Sequence, residues 1–191
     1  MKTGIVAGSF DPITNGHTWL IRQSAQLMDK LFVVIGVNPS KKSLFAPDQR
    51  QSLVEQTLRA ELPEDLFSKI TITFISNELL INFARDNHAQ YIFRGIRNTE
   101  DFNYEAQMQL VNLKICPSIE TLFSIPPREL TEVSSSTVKG LLGFAGWEAV
   151  AREYVSPSVL AALVSTQDHD NMARSSTELG TPAEPMVKST P

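Results

Sequence analysis

Cysteine is almost missing from this 191-residue chain. Cys116 stands alone, so no intramolecular disulfide forms and a secreted, disulfide-stapled scaffold is excluded. A reducing cytoplasm is the expected compartment. Excess positive charge is lacking too: the formal net charge is −4 and the isoelectric point is near 5.4. That balance argues against nucleic acid as the main partner, because binding a phosphate backbone needs a positive surface. Only Ile5, Val6 and Ala7 precede Gly8, too short for a signal-peptide core, and no run approaches the roughly 18 apolar residues of a membrane span. A soluble protein without a membrane partner is expected. No internal repeat of roughly 20 to 50 residues is visible. The two common phosphate loops, G-x-x-x-x-G-K-[S/T] and G-x-G-x-x-G, are also absent, which speaks against P-loop kinases and dinucleotide-dependent dehydrogenases.

What is present is one domain's worth of apolar sequence, 42% of the chain. Short β-branched or apolar runs read as strands over Gly4–Ala7, Leu31–Val37, Ile70–Ile75, Tyr91–Phe93 and Ile119–Ile125. Between them Val54, Leu58 and Leu62 recur every four residues, as do Ile21 and Ala25, with Met28 three later. That is the pattern of a helix packing one face on a sheet. Strand and helix alternate, so the expected fold is α/β: a single Rossmann-like, doubly wound, five-stranded parallel sheet with helices on both faces. Helix starts are expected at Pro47-Asp48 and at Ser134-Ser135-Ser136. From Thr166 scattered apolar residues sit among Ser, Thr, Pro, Asp and Glu. The expectation is a domain over residues 1–165 and a polar, disordered tail over 166–191. Asp168-His169-Asp170 is set aside as a metal site, since three adjacent residues in regular structure cannot all face one ion.

In an open parallel sheet, ligands bind beyond the carboxyl ends of the strands. Four strand ends carry basic, hydroxyl or imidazole groups. GSFDPITNGH follows the first strand, Asn38-Pro39-Ser40-Lys41-Lys42 the second, Arg94-Gly95-Ile96-Arg97 the fourth, and Pro126 to Arg128 and then the serine run the fifth. Converging on one crevice, they describe a site for a highly phosphorylated ligand. Thr14-Asn15-Gly16-His17 fits the T/H-x-G-H pattern, in which glycine lets backbone approach phosphate at a helix start. A helix beginning near Asn98 would align Arg97, Asp101 and Glu105 along one side. His88 and Lys42 read as surface residues.

Together GSFDPITNGH, NPSKKSLF, FRGIRNTEDFNYEAQMQLVN and VSSSTVK resemble, in order and spacing, the blocks of the phosphopantetheine adenylyltransferases, over about Lys2 to Leu163. Nicotinate and nicotinamide mononucleotide adenylyltransferases share the first block; RGIRNTEDFNYE separates the two families. The resemblance implies transfer of the adenylyl group of ATP to 4′-phosphopantetheine in coenzyme A synthesis, with Mg²⁺ assisting, in a homohexamer. It implies His17, Lys41 and Arg97 as catalytic residues. It implies an ATP site of Ser9, Phe10, His17, Gly95, Ile96, Arg97, Glu105, Leu130, Thr131, Glu132, Val133, Ser134, Ser135 and Ser136. Ser9, Lys41, Leu80 and Arg94 would bind phosphopantetheine, and no metal ligands are assigned. The uncharged stretch Ala106 to Leu113 would form a subunit interface.

Such transfers need positioning and charge neutralisation more than a protein nucleophile. His17 would then donate to an α-phosphate oxygen as charge builds there. Two other readings stay open: a related nucleotidyltransferase with another phosphorylated acceptor, and a non-catalytic nucleotide-binding regulator on the same fold. The chain departs from the family at Leu130-Thr131-Glu132-Val133, where the resemblance would lead one to expect two aromatics. Glu132 would weaken nucleotide binding if it reached the phosphates, and would cost almost nothing if it pointed into solvent.

Overall fold

Five short apolar segments pair side by side in the computed structural model, which describes residues 1–38 and 40–178, with side chains described up to Asp168. They are β1 (Thr3–Gly8), β2 (Lys30–Val37), β3 (Ile70–Ser76), β4 (Tyr91–Gly95) and β5 (Glu120–Ser124). Every pairing is parallel, and the order across the sheet is β3-β2-β1-β4-β5. The connections are α1 (Asn15–Leu27), α2 (Pro47–Glu61), α3 (Glu64–Phe67), α4 (Leu80–Asp86) and α5 (Thr99–Ile115). After β5 come a 3₁₀ turn (Arg128–Leu130), α6 (Ser135–Leu141), α7 (Trp147–Ala151) and α8 (Pro157–Glu178). The chain leaves β1 to build one wing of the sheet through β2 and β3, then crosses back to build the other through β4 and β5. A crevice therefore opens between the carboxyl ends of β1 and β4.

Alternation along the strands divides the core in two. Val6, Leu31, Val33 and Ile35 face a cluster with Ile21 and Ala25 of α1, Val54 and Leu58 of α2, and Val159 and Leu163 of α8. Ile5, Phe32, Val34 and Ile92 face the other side, against Ile81 and Ala84 of α4. The apolar spacing seen in sequence along α1 and α2 is the face that packs, and both sheet faces carry helices as expected. β1, the middle strand, is covered closely enough that a Cβ on Gly4 would lie 2.8 Å from the Phe93 ring and 2.9 Å from Met28.

Helix starts follow local chemistry. Pro47 opens α2, where the Ala46 N–H donates to Gln49 Oε1 at 3.0 Å. Asn98 caps α5 by accepting the Asp101 N–H at 2.8 Å, and Ser134 caps α6 by accepting the Thr137 N–H at 3.0 Å. α8 runs past residue 165, where the expected domain ends, to Glu178, with the Thr166 hydroxyl donating back to the Ala162 carbonyl at 2.9 Å. Polar composition does not prevent a helix from extending beyond its packed first half. Residues 179–191 of the expected tail, and the side chains of His169 and Asp170, lie outside the described residues.

Leu163, fully buried, anchors α8 to the core. Leu163→Ala should lower the unfolding free energy by about 2–5 kcal/mol, the usual range for a buried leucine deletion. Chemical denaturation measures this, and a loss below about 1 kcal/mol would show that α8 is not part of the cooperative core.

Candidate active site

At the crevice lies a cleft of about 300 Å³ whose wall is built by Gly8 and Ser9 after β1, by Gly16 and His17 opening α1, by Arg94 and Gly95 ending β4, and by Arg97 just beyond. Asp101 and Glu105 of α5 close one side, and Leu130, Val133, Ser134, Ser135 and Ser136 close the other. Residues far apart in sequence thus meet because the strands that carry them are neighbours.

His17 is fixed by the residue that begins its own helix. Thr14 donates its backbone N–H to His17 Nδ1 at 3.1 Å, and the Thr14 hydroxyl lies 2.8 Å from the same nitrogen. A ring nitrogen that accepts a backbone N–H carries no proton, so the neutral ring has its hydrogen on Nε2. The bond to Thr14 thus sets the tautomer in which Nε2 carries the proton. Burial, followed by the positive charges of Arg97 and Arg94, lowers the imidazole pKa to about 4. His17 is thus a neutral donor at pH 7.

Both cleft arginines are held by carboxylates. Arg97 makes a two-point pair with Asp101, Nε to Oδ2 at 2.8 Å and Nη2 to Oδ1 at 3.1 Å, while its backbone N–H donates to Oδ2 at 3.1 Å. Burial works against the ionised form of Asp101, but the hydrogen bonds and charge of Arg97 outweigh it and hold the carboxyl below its ordinary range. Arg94 donates Nη1 to the Ala7 carbonyl at 2.7 Å and Nη2 to Glu105. Each guanidinium keeps three of its five N–H groups for other partners. Glu105, expected among nucleotide contacts, is the orienting partner of Arg94.

The three serines are not equivalent. Ser134 accepts the Thr137 N–H and lies 2.8 Å from the Thr137 hydroxyl, which itself donates to the Glu132 carbonyl at 3.1 Å. Ser135 donates to the Pro12 carbonyl at 2.8 Å. Ser136 makes no side-chain hydrogen bond among the described residues. Within residues 130–133, Leu130 and Val133 line the cleft. Thr131 turns its hydroxyl back to the Arg128 carbonyl at 2.8 Å, and Glu132 is exposed outside the cleft wall.

Other expected residues also lie outside that wall. Phe10 and Ile96 are buried behind it, at 0% and 8% exposure. Lys41 is exposed on the loop after β2, its N–H bonded to the Asn38 carbonyl at 3.1 Å. Leu80 lines a second hollow of about 150 Å³, with Leu79, Tyr104 and Met108, which shares Arg94 and Glu105 with the main cleft.

Sequence reasoning gave no role to Asp11, although it stands in the quoted string. Its carboxylate is buried and accepts the N–H groups of Leu44 and Phe45, each at 2.9 Å, and the Lys139 ammonium at 3.2 Å. Arg50 was also missed; it is 2% exposed and donates to the Ser9 carbonyl at 2.9 Å and the Gly36 carbonyl at 3.3 Å. Nothing in the polar pattern of α2 marks it.

Residues 5–141 match the cytidylyltransferase-like family model. The chain is 44% identical over 165 residues to the phosphopantetheine adenylyltransferase of Chromobacterium violaceum, covering 86% of this chain and 97% of that protein. It is 39% identical over 163 residues to the enzyme of the same name from Alkaliphilus metalliredigens, covering 85% and 98%. The chain belongs to the phosphopantetheine adenylyltransferase family. Among solved structures, Plasmodium falciparum nicotinic acid mononucleotide adenylyltransferase complexed with NaAD superposes with a TM-score of 0.67. That match covers 89% of this chain and 98% of the other at 16% identity, a likeness of fold.

Two outcomes follow from this geometry. Since the His17 pKa is lowered from 6.5 to about 4, the unfolded chain takes up a proton as pH falls through that window while the folded chain does not, and His17 costs stability there. The melting temperature of His17→Gln relative to the parent should be constant above pH 6.5 and rise as pH falls toward 4; a constant difference throughout would mean that His17 titrates normally. Ser134→Ala should lower stability by about 1 kcal/mol, as loss of a cap does. Ser136→Ala should leave the melting temperature unchanged and weaken ATP binding in calorimetry; equal effects of the two variants would contradict the division of labour.

Proposed function

We propose that this protein transfers the adenylyl group of ATP to 4′-phosphopantetheine, giving dephospho-coenzyme A and pyrophosphate. The observation that carries this reading is a neutral Nε2–H donor, fixed by Thr14, in a cleft with two carboxylate-oriented arginines. A phosphate oxygen of the acceptor attacks the α-phosphorus of ATP, the bond to the bridging β-phosphate oxygen breaks, and pyrophosphate leaves. The acceptor phosphate is already an anion, so no protein base is required. As charge gathers on the α-phosphate oxygens, His17 donates to one of them without losing its proton. Arg97 and the uncommitted Ser136 hydroxyl hold the triphosphate, Leu130 and Val133 supply apolar wall, and Ser9 bonds a phosphate oxygen.

On the other side, Arg94 and Lys41 hold the acceptor phosphate, Lys41 reaching from its exposed loop on a flexible four-carbon stem. The pantetheine arm occupies the hollow lined by Leu80, whose apolar walls and few polar groups suit a chain of methylenes and amides. Mg²⁺ enters as the MgATP complex. Asp101 and Glu105, the cleft carboxylates, are each engaged by an arginine, so an ion brought in with ATP would be held chiefly through the nucleotide's own phosphates and would supply charge neutralisation there. The proposed assembly is a homohexamer in the cytoplasm. In support, α5 buries none of its side chains in this chain and exposes Phe102, Tyr104, Leu110 and Val111.

Incubation with ATP, Mg²⁺ and 4′-phosphopantetheine should release pyrophosphate, with ATP preferred to CTP and GTP. His17→Ala should lower kcat by about two to three orders of magnitude, with KM for ATP changed by only a few-fold. Lys41→Ala should instead raise KM for the acceptor. Release of pyrophosphate only with another phosphorylated acceptor would reassign the substrate, and ATP binding without turnover would point to a regulator.

A further inference from the structure

Phe10 adopts the left-handed backbone region, φ 46°, which a bulky side chain occupies at a cost of order 1–3 kcal/mol unless its surroundings hold it there. Its ring has no exposure and lies between two functional neighbours. On one side a Cβ on Gly8 would stand 3.4 Å from the ring; on the other the His17 imidazole is tilted against it with centroids 5.1 Å apart. The ring therefore sets how far His17 can turn toward the strand end. The backbone on either side of Phe10 is tied down. Asp11 is held by the two N–H groups and the ammonium described above, and the Ser9 carbonyl accepts from Arg50.

Arg50 is an unusual choice for that task. It is buried, its Nε has no hydrogen-bond partner, and no carboxylate pairs with it among the described residues. A buried cation without a counter-charge is costly, and an apolar side chain of similar size is often neutral or stabilising in its place. Stability alone therefore does not account for it. What a guanidinium does here, and a methionine would not, is grip the carbonyls of Ser9 and Gly36 together, closing the ends of β1 and β2 around the turn.

We propose that Arg50 is a positioning residue for the adenylyl transfer: by holding the Ser9 carbonyl it locks Phe10 in its left-handed turn, and the Phe10 ring in turn fixes the His17 imidazole at the cleft. This rests on the role of His17 given under Proposed function. Arg50 itself touches no substrate.

The test is Arg50→Met in the full chain, with Arg50→Lys as a second variant that keeps the charge but places its nitrogen one bond short of Nη1, the atom that donates to both carbonyls. Arg50→Met should melt within a few degrees of the parent while kcat falls by about ten- to a hundredfold, with KM for both substrates within about threefold. Nitrogen NMR of ring-labelled histidine, with the His17 signals identified by their loss in His17→Gln, should show that the single Nε2–H tautomer is lost. Arg50→Lys should fall between the parent and Arg50→Met in both readouts, and decides alone if Arg50→Met does not fold. His17 ring signals identical to the parent's in a folded variant overturn the proposal. So does a changed ring signal with unchanged kcat, provided His17→Ala is impaired. If instead kcat survives in both Arg50→Met and His17→Ala while the ring signal changes, the positioning role of Arg50 stands and the catalytic reading of His17 falls.

Discussion

The mouth of this cleft depends on one buried carboxylate. Asp11 brings together the turn after β1, the loop that leads into α2 through the N–H groups of Leu44 and Phe45, and α6 through Lys139. Those segments belong to different strand–helix units that meet at the open end of the sheet. Removing the Asp11 carboxylate would leave the N–H groups of Leu44 and Phe45 without their acceptor and Lys139 without its partner, so one side chain couples the three segments. Because Ser135 also bonds the Pro12 carbonyl, the turn that carries His17 and the helix that carries the serines share this anchor.

A second theme is the pairing of charge within the site. Each cleft arginine reaches the substrate side already neutralised and oriented, Arg97 by Asp101 and Arg94 by Glu105. Without those carboxylates two guanidinium groups beside the half-buried His17 imidazole would repel each other and would be free to turn. With them, an entering phosphate meets donors whose direction is set in advance, which is where most of the advantage of a preorganised site lies. The cost is a weaker net positive field, consistent with a chain whose overall charge is negative.

Much of this was legible in sequence, for identifiable reasons. β1 and β2 announced themselves because they are buried on both faces and so read as unbroken apolar runs, and α1 and α2 because each presents one apolar stripe to the sheet. His17, Arg94, Arg97 and the serines could be placed at one site because a parallel sheet gathers its strand ends. Side-chain direction was not legible. That Glu132 points away while Leu130 and Val133 face inward, that Ser134 spends its hydroxyl on a cap, and that Glu105 serves Arg94 depend on rotations of a turn or helix that residue type does not fix. Arg50 was hidden for another reason: a single arginine on a helix is ordinarily a solvated one, and its burial arises only when the ends of β1 and β2 close over it.

The lowered pKa of His17 also bears on how the reaction answers to acidity. A ring that stays uncharged through the neutral range neither gains nor gives up a proton between one turnover and the next. A phosphate monoester, by contrast, loses its second proton with a pKa of about 6. Mild acidification of the surroundings would reach this reaction through the ionisation of the incoming phosphate, with the protein's own donor left as it was.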